Sequence, residues 1–118
     1  VPDPDDVARL LSVRTIDSSG QELGIWTDDT RPTREQVAEL CEFASQDLAA
    51  RLGVLPDVEL YDECRRCATL QAASLVCASF YPEATGGTGG QGATFVAMYL
   101  NSASQLQDRT WRTPLRLP

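Results

Sequence analysis

The stretch that most constrains this chain runs from Asp57 to Tyr81, DVELYDECRRCATLQAASLVCASFY, its longest run without Gly or Pro. Read as a helix, it is roughly 37 Å long at ~1.5 Å rise per residue. Its first half is two-faced: Leu60, Cys64, Cys67, Ala68 and Gln71 line one side, and Glu59, Asp62, Glu63, Arg65 and Arg66 the other. From Cys67 to Pro82 there is no charge, and the residues are apolar or small nearly all round. A helix of that kind must be covered on several sides, by its own chain or by neighbouring copies. The uncharged run is shorter than the ~20 residues a bilayer needs. Thr69, Gln71, Ser74 and Ser79 also interrupt it. A buried helix is expected, and a membrane span is not.

A partner helix lies just upstream. Thr33 is a natural N-cap with Gln36 as its capping-box partner, and Glu35 suits the first turn. Val37, Leu40, Cys41, Ala44, Leu48 and Leu52 then form a helical stripe. Gly53 is a natural C′ residue and Pro56 prevents continuation. Arg34–Leu52 and Asp57–Tyr81 thus form a long antiparallel αα-hairpin joined by a short link. Its expected core is Val37, Leu40, Cys41, Ala44, Leu48, Leu60, Cys64, Cys67 and Leu75.

At the N-terminal side, Asp3 is an N-cap, Pro4 fits the first helical position, and Asp5 and Asp6 complement the positive helix end. Val7, Leu10 and Leu11 follow at i, i+3, i+4, a short helix that must dock to be stable. Residues 13–27 read as a β-hairpin insertion: Val13–Ile16 and Glu22–Thr27 flank the turn Asp17-Ser18-Ser19-Gly20. A lone ribbon is barely stable in water. Ile16, Leu23, Ile25 and Trp26 therefore either pack on the helices or reach another subunit. Asp17, Asp28 and Asp29 lack calcium-loop spacing and read as turn and cap residues.

Beyond Pro82, residues 85–94 hold five Gly in ten residues and read as a flexible Gly-rich linker. Phe95–Asp108 resumes helical spacing through Phe95, Met98, Tyr99, Ser102 and Leu106. Residues 109–118, RTWRTPLRLP, read as an extended basic tail, with Pro114 and Pro118 favouring extended backbone. Trp with interleaved Arg is the composition of interface hot spots. Partner docking therefore comes first, with a frayed end or a weak nucleic-acid platform as alternatives.

Composition narrows the chemistry. The 118 residues suffice for one small domain, here residues 1–108 plus the tail, and 42% hydrophobic content supports a core. There is no His and no Lys, so the commonest neutral-pH acid/base and the Schiff-base and P-loop amines are missing. Residues 1–108 carry seven Arg against seventeen acids, a balance of -10, whereas residues 109–118 carry three Arg and no acid. An acidic body does not grip a phosphate backbone, where cations supply affinity. Cys64 and Cys67 form a C-x-x-C that sits inside a helix rather than at its N-terminus after a strand, and Cys41 and Cys77 are isolated. With no signal peptide visible ahead of them, a reducing compartment and structural core cysteines are expected, over metal or redox sites. No nucleophile elbow or metal set is recognisable, so neither an enzyme nor a cofactor is expected.

PDPDDVARLLSVRT, WTDDTRPTREQVAEL, DLAARLG and ATLQAASLVCASFYPE occur in this order over roughly residues 3–83. In them the chain resembles the small helical head-to-tail adaptor (connector, head completion) proteins of long-tailed bacteriophages, most specifically at TDDTRPT. The resemblance implies a mainly α fold and a ring, usually of twelve copies, beneath the portal. It implies a virion protein that extends the DNA channel and presents a platform for the stopper and tail, without catalysis or cofactor. DNA would pass the acidic lining without sequence-specific binding, and no membrane is involved. On this reading Arg109, Trp111, Arg112, Leu115, Arg116 and Leu117 are the portal-docking residues. Ile16, Leu23, Ile25 and Trp26 meet neighbouring copies or the stopper. The competing expectation is a small cytosolic helical binding or regulatory protein acting as a dimer.

Overall fold

The computed structural model describes residues 2–53, 60–81 and 91–112. Four helices follow one another: α1 (Pro4–Leu10), α2 (Arg34–Leu52), α3 (Tyr61–Phe80) and α4 (Gln91–Arg112), with a 3-10 turn at Ser12–Arg14. The architecture is a small, mainly α bundle. Among the described residues no helix is long and apolar enough to cross a membrane.

The starts of α1 and α2 are set by reciprocal caps. Asp3 accepts from the Asp5 N–H at 2.9 Å, while Asp6 accepts from the Asp3 N–H at 2.9 Å. Thr33 Oγ1 accepts from the Gln36 N–H at 3.3 Å, and Gln36 Oε1 accepts from the Thr33 N–H at 2.9 Å. Each box satisfies donors that a helix N-terminus otherwise leaves orphaned. Gly53 closes α2 at φ 72°, the left-handed cap position that glycine occupies without a Cβ clash. α3 begins at Tyr61 after Leu60, which supplies no side-chain cap. Residues 57–59, expected in the same helix, lie outside the described residues.

α3 is the centre. Its N-terminal half packs against the C-terminal half of α2, where Leu48, Ala49 and Leu52 face Tyr61, Cys64 and Ala68 across a shallow cleft. At its other end, Tyr81 reaches the carbonyls of Arg31 and Arg14. The two helices are therefore antiparallel. α4 returns along α3 in the opposite sense, with Tyr99 beside Cys67 and Arg109 near Glu63. α1 lies across α2 and α3, held by Arg34 to Asp5 at 2.8 Å and Arg65 to Asp6 at 2.8 Å.

Val37, Cys41, Ala44, Leu48, Leu60 and Cys67 are buried, and Leu40 and Cys64 pack against the core at its margin. Leu75 is only half-buried; its neighbours Ala72, Ala73, Val76 and Cys77 take the fully buried positions. α3 is thus enclosed by α1, α2 and α4 through small residues, which let the neighbouring backbones come close.

Three expectations need correction. The 13–27 insertion is not a β-hairpin; it makes one antiparallel bridge, Ile16 with Glu22. Residues 12–14 wind into the 3-10 turn, where the Thr15 hydroxyl donates to the Ser12 carbonyl at 2.6 Å. Gly24, at φ 77°, takes the second segment out of the β region. Its N–H donates to Thr15 Oγ1 at 2.8 Å rather than to a ladder carbonyl. Second, α4 begins at Gln91, inside the segment read as linker, and Gly92 is buried. Packing of Phe95, Tyr99, Ala103 and Leu106 offsets the ordering cost of glycine there. Third, the tail is not extended from residue 109: α4 continues through Arg112. Pro114 restricts only the residue before it, so nothing local stops the helix earlier.

Candidate interaction surfaces

The sequence leaves Trp26 either packed on the helices or, as the resemblance implies, at a subunit or stopper contact, and the structure takes the first course. Trp26 is 1% exposed and belongs to the chain's own core. The segment behind it, Thr27–Thr33, is a tight polar corner. Thr30 Oγ1 accepts from the Thr27 N–H at 2.9 Å and lies 2.7 Å from the Pro32 carbonyl. Thr27 Oγ1 accepts from the Asp29 N–H at 3.1 Å, and the Arg31–Pro32 peptide is cis. Tyr81 closes the corner from α3, with the Arg14 guanidinium 4.5 Å above its ring. TDDTRPT is therefore an architectural node that joins the insertion to the end of α3.

The other insertion residues stand differently. Ile25 is half-exposed, Ile16 and Val13 also face solvent, and Leu23 is intermediate. Asp17 holds the turn by accepting from the Ser19 hydroxyl at 2.6 Å and the Gln21 N–H at 2.9 Å. Those bonds, the Ser19 hydroxyl first, hold its carboxyl below the usual carboxylate range.

Of the tail, Arg109 is exposed and its guanidinium lies 4.0 Å from Glu63. Trp111 and Arg112 continue the backbone of α4. Leu115, Arg116 and Leu117 lie outside the described residues, as do residues 82–90 of the Gly-rich segment.

Sequence reasoning missed an apolar groove of about 380 Å³ where α1, α3 and α4 meet. Leu10, Thr69, Leu70 and Met98 form its floor, and Asp6, Arg9, Arg65 and Arg66 form its rim. Met98, which the helical spacing placed with the core stripe, is 47% exposed here. The signal was present in the sequence: Met98 lies about 100° from Tyr99 around the helix, at the border of the stripe rather than its centre. Asp6 binds the rim together. It accepts from Arg9 at 2.8 Å and from Arg65 at 2.9 Å. Desolvation pushes its carboxyl up, but bonds from the Asp3 N–H and Arg65 and the charges of Arg65 and Arg9 outweigh it, so its pKa is lowered.

On the opposite side of α2, away from α3, Glu35, Glu39, Glu42 and Gln46 surround Phe43, which is 55% exposed. Between α2 and α4 a polar tie runs beside the apolar core. The Tyr99 hydroxyl donates to Asp47 at 2.7 Å, and Arg51 Nε donates to the same oxygen at 3.2 Å. The tyrosine bond, ahead of the arginine, holds Asp47 below the ordinary carboxylate value.

The cysteines are buried except Cys64, which is partly exposed, and all four are free thiols. Burial, with the charges of Asp3 and Asp6, pushes the Cys41 thiol up to about 11. Burial also raises Cys64 and Cys67, so neither member of the C-x-x-C gains thiolate character. Among the described residues no group of three or more His, Cys, Asp or Glu is placed to hold a metal ion.

Set against protein-family models, curated proteins and solved structures, the chain finds no match in any of the three.

Proposed function

We propose that this chain is a structural adaptor of a long-tailed phage, a ring subunit seated between the portal and the stopper or tail. The ordered motifs over residues 3–83 support that reading. From the fold, the observation that carries it is uncovered apolar surface on a small acidic bundle. Leu10, Val96, Met98 and Leu100 are exposed on α1 and α4, with Val13, Ile16 and Ile25 on the insertion. Apolar side chains spread over several elements of so small a domain suit a subunit that meets more than one neighbour. The balance of -10 over residues 1–108 suits a channel wall that DNA slides past.

In this reading Arg109, Trp111 and Arg112, at the end of α4, and Leu115, Arg116 and Leu117 beyond it dock on the portal. Ile16, Leu23 and Ile25 meet neighbouring copies or the stopper; Trp26 is withdrawn from that set because it is buried. The ring of about twelve copies and the virion location follow from the same resemblance.

The test is light-scattering mass on a sizing column, with the chain alone and mixed with purified portal rings from the same source. A ring-sized species that joins the portal is expected. A two-fold dimer that ignores the portal overturns the adaptor and promotes a regulatory protein. Truncation after Arg112 leaves α4 whole, and portal capture that survives it removes Leu115, Arg116 and Leu117 from the docking set.

A further inference from the structure

Two surfaces of this chain complement one another and face in different directions. The first is the groove floored by Leu10, Leu70 and Met98. Of the seven Arg in residues 1–108, three stand around it, against the single carboxylate of Asp6. Arg9 and Arg66 are 75% exposed at the side chain and Arg65 53%, so Arg9 and Arg65 keep N–H donors facing water beyond those they give to Asp6. Arg66 lies only within charge contact of Glu63, at 4.0 Å. The second is the outer face of α2, with three carboxylates around the half-exposed ring of Phe43.

The register of α3 separates the two. Cys64 and Ala68 line the cleft with α2, and Arg65 stands between the two, bordering both cleft and groove. Arg66, Thr69 and Leu70 line the groove. At about 100° per residue these two sets fall on opposite sides of α3. The outer face of α2 points away from α3, so it cannot fold back into its own groove. It is free to enter the groove of another copy.

We propose that the acidic outer face of α2 of one copy seats in the arginine-rimmed apolar groove of the next. Glu35, Glu39 and Glu42 meet Arg9, Arg65 and Arg66, and the Phe43 ring covers Leu70 and Met98. The contact joins two different patches, so it is heterologous and propagates head to tail, closing into a ring if the rotation permits and otherwise forming a filament. It rests on the ring reading for closure alone; the pairing of faces stands on charge and apolar surface.

Charge reversal on either side tests it with the chain alone, by concentration-dependent sedimentation. Glu35→Arg/Glu39→Arg/Glu42→Arg reverses the α2 face, and Arg9→Glu/Arg66→Glu reverses the rim. Each variant alone should associate more than about 100-fold more weakly than the unaltered chain, because like charges across an interface cost several kcal/mol. An equimolar mixture should recover association, since each reversed face now meets its complement on the other variant. High salt should weaken the unaltered chain's association. Circular dichroism confirms that each variant is folded. If the rim variant is not, Met98→Glu, at one half-exposed floor position, carries the same expectation of loss. Association unchanged by reversal, a mixture that stays dissociated, or an unaltered chain monomeric at its highest soluble concentration overturns the interface. Portal capture is read separately. Salt-sensitive association without it keeps this interface and removes the adaptor.

Discussion

Trp26 and Ile25 are neighbours in sequence with opposite fates, and substitution should separate them. Trp26→Ala removes the largest fully buried side chain among the described residues and should cost about 3–5 kcal/mol, measured by urea unfolding. Such a loss is a large part of the ~5–15 kcal/mol that holds a domain together. Ile25→Ser, at a half-exposed position, should stay within about 0.5 kcal/mol. Equal effects would mean that the insertion does not anchor through the indole. Tyr99→Phe keeps the buried ring but deletes its bond to Asp47, and about 1–2 kcal/mol should go. The same change bears on pH. Asp47 has a folded pKa below its unfolded value near 3.8, so its contribution is full above that value. It is lost as pH falls through the lower, folded value. Tyr99→Phe should therefore flatten the acid limb of the stability curve; an unaltered limb would place the acid sensitivity elsewhere, at Asp6 first.

At the scale of elements, the chain announced its helices where two signals coincided. Asp3 with Pro4, and Thr33 with Gln36, mark starts that the fold reproduces to the residue, because an N-cap satisfies specific donors at a specific place. Gly53→Ala should destabilise by about 1–2 kcal/mol, the cost of a Cβ in left-handed backbone, with no clash added because open space surrounds that Cβ. A smaller loss in thermal unfolding would show that α2 frays before its cap. Where one signal stood alone, tertiary structure decided. The two runs flanking the turn Asp17–Gly20 suggested strands, but Gly24 and the Thr15 hydroxyl turned the segment into a bridged loop. The glycines before Phe95 suggested a linker, yet α4 starts at Gln91. The groove could not be read from any single helix, because α1, α3 and α4 each contribute only part of it. Thiol reactivity gives an element-level check on α3. With Cys64 and Cys67 of α3 and Cys41 of α2 all raised by burial, a disulfide reagent at neutral pH should label the partly exposed Cys64 first and leave Cys67 and Cys41 until unfolding. Rapid labelling of Cys67 would mean that α4 lifts from α3.

For the whole molecule, the useful coordinate is the long axis of α3. One end carries the Thr27–Thr33 corner, pinned by Tyr81; the other lies beside Arg109 on α4. α3 has 20 residues, so the two ends are about 30 Å apart at ~1.5 Å per residue. Between them the helix is enclosed by small side chains, and little in it can bend. The bundle is a strut whose length is written in turns of one helix. Any two bodies fixed to its ends are held at a set distance, and each turn added to or removed from α3 and α4 together would shift that distance by about 5.4 Å. Natural variants of such a strut should therefore differ in length by whole helical turns, because any other increment would rotate the faces at one end out of register with those at the other.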